Sequence, residues 1–179
     1  MTDRLRAVLA ALVLAAPLIA HAHGKAHQHG VAQLDIASDP GKLEVQLETP
    51  LDNLLGFERA PRNDAERQRA DAVVARLKDG AALIRIDPAA ACTLASVEIV
   101  SAPLGLGAAP AAKGAQDAEH ADLEARWSFN CTGTPAGFVE VGLFEAFPRL
   151  KTLNVQAATA KGQARRSLKA PANRIELRR

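Results

Sequence analysis

The sequence has no tyrosine, and aromatic residues make up only 3 % of its 179 positions. So few rings exclude a stacking platform for sugars or single-stranded nucleic acid, and Trp127 and Phe129 read as core. Charge of one sign is lacking too: 22 Lys and Arg face 20 Asp and Glu, a net charge of +2. That balance gives no reason to expect a nucleic acid or an anionic membrane as partner. No long apolar run occurs after residue 22, so no later segment is expected to insert stably in a membrane. Catalytic patterns are also missing. There is no glycine-rich phosphate loop and no H-E-x-x-H pair. Ser96, Ser101, Ser128 and Ser167 stand outside any nucleophile-elbow context. The expectation is a protein that is not an enzyme.

What is present begins at the N-terminus. Arg4 and Arg6 precede an apolar run from Ala7 to Ala16, Pro17 breaks it, and Ala20-His21-Ala22 offers small residues around a cleavage point. This is the layout of a secretory signal, too short at about 14 apolar residues for a membrane span of roughly 20. Residues 1–22 are therefore read as a signal peptide, with His23 as the first mature residue and a net charge of +1 on the remainder.

Residues 23–30 read as a flexible, histidine-containing leader, and residues 31–179 as a single β-rich domain. Val31–Ala37 and Leu43–Glu48 alternate apolar and polar residues around Asp39-Pro40-Gly41-Lys42, which predicts a β-hairpin. Pro50 ends it, and Leu51–Phe57 reads as a short apolar turn. Asn63 or Asp64 is placed to cap a helix over about 63–79, with Ala70, Val73, Val74 and Leu77 on one face and Gly80 as its stop. Strands are expected at Leu83–Ile86, Cys92–Val100, Leu123–Phe129, Val139–Leu143, Thr152–Ala158, Gln163–Leu168 and Arg174–Leu177. Residues 102–119, rich in Ala, Gly and Pro, read as a mobile loop. The fold class is α+β, a mostly antiparallel sheet with one amphipathic helix.

The two cysteines, Cys92 and Cys131, fall at strand ends. In an oxidising compartment they read as one disulfide, whose loop of about 40 residues is worth roughly 4 kcal/mol in the chain-entropy description. Thiolate ligation of a metal is the alternative, although the spacing is unlike C-x-x-C.

Five histidines remain to be explained. His21, His23, His27 and His29 cluster at the N-terminus, and His120 stands alone. His27 and His29 are two apart, so both rings point to one side of an extended chain. Imidazole suits zinc, copper and nickel, and His23 would add its ring and a free amino group. A weak internal echo sets His120, Leu123–Ala125 and Val139–Val141 in the order of His29, Leu34–Ile36 and Leu43–Val45. If the echo marks two similar half-sheets, His29 and His120 approach each other, and Glu119 or a water could complete a site.

These motifs resemble a known family. His27-Gln28-His29-Gly30-Val31-Ala32-Gln33-Leu34, Asn53-Leu54-Leu55-Gly56-Phe57-Glu58-Arg59-Ala60-Pro61, Ala91-Cys92, His120 ahead of Phe129-Asn130-Cys131, and Leu143–Pro148 run in the order seen in ZrgA-type periplasmic zinc-uptake proteins. The resemblance implies a periplasmic protein of Gram-negative bacteria that carries Zn2+ as cargo and helps deliver it to an inner-membrane transporter. The ligands it implies are His27, His29 and His120, with His23 in support. Two departures stand out. Gly107–Glu119 lacks the histidine-rich stretch often found there, and Arg59 occupies a position where histidine is frequent. Copper or nickel binding, or a non-metal periplasmic interaction role, are the alternatives.

Overall fold

The computed structural model describes residues 28–107 and 121–177. The expected signal peptide, most of the leader and most of the 102–119 loop lie outside them. Alternation from Val31 produces β1 (Val31–Asp39) and, after a turn at Pro40-Gly41, β2 (Lys42–Pro50). Leu34, Ile36, Val45 and Leu47 are fully buried on one face, while Asp35 and Gln46 point to the other.

Pro50 closes β2 and leads into α1 (Leu51–Leu55). Then α2 (Asp64–Lys78) is capped by Asn63, whose side-chain oxygen accepts from Glu66 N at 2.9 Å. Its buried stripe is Ala70, Val73 and Leu77. The chain continues through α3 (Gly80–Leu83), β3 (Ile84–Ile86), β4 (Cys92–Val100), β5 (Asp122–Cys131), β6 (Phe138–Val141), α4 (Leu143–Ala146), β7 (Thr152–Thr159), β8 (Gly162–Lys169) and β9 (Arg174–Glu176). Short 3-10 turns occupy Pro88–Ala90 and Ala102–Leu104.

Six strands form one sheet in the order β4-β5-β2-β1-β7-β8, and β3-β6-β9 form a second. All pairings are antiparallel except β1 with β7. One face of the large sheet joins α2, α4 and the small sheet in a single apolar cluster, with Trp127 fully buried in it. The other face is the polar half of each alternating strand.

Three expectations change. Leu83 belongs to α3 rather than to a strand. Gly80 does not end α2 in a left-handed turn; Asp79 is the cap residue, with φ −79°. Gly80 is needed because a Cβ there would lie 2.3 Å from Trp127 Cδ1. The half-sheet echo also fails, because β5 pairs with β2 and β4 while β6 lies in the small sheet between β3 and β9. Alternation identifies a strand and its buried face, but it does not name the neighbour. The 102–119 segment is described only at its start, where Ser101 and Leu106 form an isolated bridge and Leu104 packs on the core.

Candidate metal centre

The order of the large sheet gathers several chain ends at one rim. There β1 and β7 begin side by side, with Val31 opposite Thr152. There also β2 ends and β5 begins, with Pro50 opposite Asp122. Because Pro50 stops the strand, α1 folds across this rim, and Leu51 N donates to Ala121 O at 2.8 Å. Ala121 is the residue after His120.

Asn53 fixes the other approach. It is 1 % exposed, within an otherwise leucine-rich turn. Its Oδ1 accepts from Gly30 N at 2.5 Å. Its Nδ2 donates to Val31 O at 2.9 Å and to Thr49 Oγ1 at 3.0 Å. At the entry to β7, the amides of Lys151, just before the strand, and Thr152, its first residue, donate to Gly30 O at 2.8 and 2.9 Å. Gly30 is thus held from both sides, and His29 is the first histidine outward from this anchor.

The His29 ring is 64 % exposed, with Nε2 3.0 Å from Glu58 Oε1 and Nδ1 3.8 Å from Asp52 Oδ2. Asp52 is already engaged: Arg149 Nη2 donates to both carboxylate oxygens at 2.9 Å, and its Nε donates to Asp52 O at 2.8 Å. Gly56, left-handed at φ 84°, adds its own N–H to that carbonyl and turns the chain toward Glu58. Glu58 is therefore the carboxylate free to orient His29. A carboxylate behind a histidine fixes its tautomer and raises its basicity as a ligand. Among the described residues no group of three or more His, Cys, Asp or Glu is set to hold a metal ion. His29 is the one predicted ligand within them, while His23, His27, Glu119 and His120 lie outside.

The cysteines sit at the opposite rim. Cys92 and Cys131 pair across β4 and β5 in a disulfide with sulfurs 2.06 Å apart, so neither is a thiolate ligand. The length of β5, at about 3.3 Å per residue, separates them from His29's rim by roughly 30 Å.

The model of the ZrgA family of zinc uptake proteins matches residues 26–177. The chain belongs to that family. No individual curated protein matches it. The ZrgA match includes His27, His29 and His120 and begins after His23. It also spans Arg59, the position of one departure. Arg59 donates to Glu66 at 2.6 and 2.9 Å, lies over the Phe57 ring and ties the segment after α1 to the start of α2. Those bonds, with one from Arg62 N, hold the Glu66 carboxyl down to about 2.

Asn53, Asp52, Glu58 and Arg149 were not foreseen as a group. The legible signal was the Asn53 amide among buried leucines, since a buried amide needs partners. Among the described residues no helix is long and apolar enough to cross a membrane.

Proposed function

We propose that this ZrgA-family protein is a periplasmic carrier that binds zinc at the rim around His29 and hands it to an inner-membrane transporter, catalysing no reaction. The ligands are His27, His29 and His120, with His23 as an accessory. One observation carries the reading: the anchor at Asn53 and the Leu51–Ala121 hydrogen bond bring the attachment points of both histidine-bearing segments to one rim. Family membership supports zinc uptake as the role. In sequence, His27 stands three residues before the anchored Gly30, and His120 directly precedes Ala121.

The arrangement suits transfer. His29, held by Glu58 on a fixed backbone and open to solvent, supplies one oriented ligand that a transporter can reach. Ligation requires neutral imidazole, so protons compete with the metal and binding weakens as pH falls.

The test is competition titration of zinc against a chromophoric chelator at neutral pH, with His27→Ala, His29→Ala and His120→Ala separately. Each variant is expected to weaken binding by at least about tenfold, or 1.4 kcal/mol. Full affinity in the His120 variant, with loss in the other two, refutes the shared site in favour of a leader-only one. No loss in any variant ends the zinc reading at this rim.

A further inference from the structure

The net charge of +2 conceals a strong asymmetry. Between Glu145 and Glu176 there is no acidic residue, but there are seven cations: Arg149, Lys151, Lys161, Arg165, Arg166, Lys169 and Arg174. With those seven set aside, the rest of the chain carries −5. Arg149 is engaged by Asp52, Arg174 by Glu140 and Glu176, and Lys151 by the carbonyl of Pro148. Lys161, Arg165, Arg166 and Lys169 form no ion pair among the described residues. All four lie on β8 or in the turn that leads into it.

Their position is as informative as their charge. β8 is the outermost strand of the large sheet, and β7 is its one strand partner among the described residues. All its residues except Ala164 and Leu168 are exposed. By register, Arg165 stands opposite Gln156 on the open face and Arg166 opposite Val155 on the core-facing side. The outer edge is thus a row of backbone donors and acceptors bracketed by cations on both faces. The nearest carboxylate in register is Asp35, two strands away on β1.

We propose that β8 is a docking strand for an acidic, extended peptide segment of a partner protein, which pairs with it as a seventh strand of the sheet. Main-chain hydrogen bonds would supply affinity, and carboxylates at alternate positions would supply specificity and speed association. A second copy of this chain does not fit: β8 against β8 sets Arg165 and Arg166 facing their own kind, and directly opposed like charges are destabilising. The other edge strand, β4, offers one carboxylate, Glu98, along its length. An anionic bilayer matches the charge but leaves the strand's edge amides and carbonyls without ordered partners. The proposal is independent of the zinc reading, and its test uses metal-free protein.

The probe is a fluorescein-labelled decapeptide of alternating glutamate and threonine, titrated with the full chain at low ionic strength and followed by anisotropy. Saturable binding is expected, weakened at least about tenfold by the double variant Arg165→Gln/Arg166→Gln with its thermal melt unchanged. Two further peptides carry N-methyl groups on one or the other alternate set of backbone nitrogens, with all charges kept. Strand addition predicts that one of them loses binding and the other retains it. Equal binding of both reduces the patch to diffuse attraction and overturns the proposal. So does absence of peptide binding, whether the protein then binds phosphatidylglycerol vesicles or binds neither probe. Self-association of the double variant, with no peptide bound by the parent, would assign these cations to edge protection instead.

Discussion

Replacing Asn53 by alanine should both destabilise the fold and release the leader. The side chain is buried and makes three hydrogen bonds, to Gly30 N, Val31 O and Thr49 Oγ1. Each contributes about 1 kcal/mol net, and alanine leaves partly buried partners without the amide. The expected loss is therefore about 3 kcal/mol, a large part of the 5–15 kcal/mol typical of a domain. For a chain of this size it corresponds to a fall in Tm of roughly 6–12 °C. Urea unfolding followed by the fluorescence of Trp127 is the assay, since it is the one tryptophan and is fully buried. Asn53→Asp is the companion variant: it keeps the acceptor for Gly30 N and loses the two donated bonds. A loss below about 1 kcal/mol in Asn53→Ala would show that the amide is not the anchor argued above. Zinc titration of the folded variant gives a second readout: the proposed site predicts weaker binding although no ligand has been removed.

Gly80→Ala should cost about 1–3 kcal/mol, because the new methyl meets Trp127, whose Nε1 is held by Leu77 O at 2.8 Å; an unchanged urea midpoint would refute that contact. Glu66 has its carboxyl lowered to about 2 from an ordinary 4.5, chiefly by Arg59. Its contribution is therefore complete above pH 4.5 and lost as pH falls toward 2. Glu66→Gln should melt lower at neutral pH, converge with the parent near pH 2 and lose the Glu66 part of the acid dependence between. Parallel melting curves across that range would contradict the assignment. Reduction of Cys92–Cys131, which closes a separation of 39 residues, should lower stability by roughly 4 kcal/mol in calorimetry; labelling of both thiols in unreduced protein would show the bridge absent in solution.

The features legible in the sequence are those set by local pattern. Alternation located β1, β2 and β5, and Asn63 with the Ala70–Leu77 stripe located α2. Two cysteines with no other partner gave the disulfide. Neighbours in space were a different matter, because they depend on contacts between distant residues. Arg149 meets Asp52 across 97 positions, and nothing near either residue announces the other. The likeness between the two halves of the chain suggested that His29 and His120 would converge by symmetry. The attachment points do converge, but through the β2–β5 pairing and the turn at Pro50. The basic edge escaped notice because a nearly neutral sum says nothing about where the charges lie.

The parallel pairing of β1 with β7 has a consequence for the order of assembly. β1 leaves the ribosome well before its parallel neighbour, which lies about 120 residues further along the chain. Until then Gly30 lacks the amides of Lys151 and Thr152, and Asp52 lacks Arg149. The β1–β2 hairpin can form early, but the rim that carries His29 is completed only when residues 149–152 arrive. Pairing over such a separation is slow, and the waiting edge of β1 is open to wrong partners in the meantime. A chain shortened before residue 149 would keep His27, His29 and His120 and still lack the backbone that fixes His29, so the site proposed above predicts that losses at its far end weaken zinc binding.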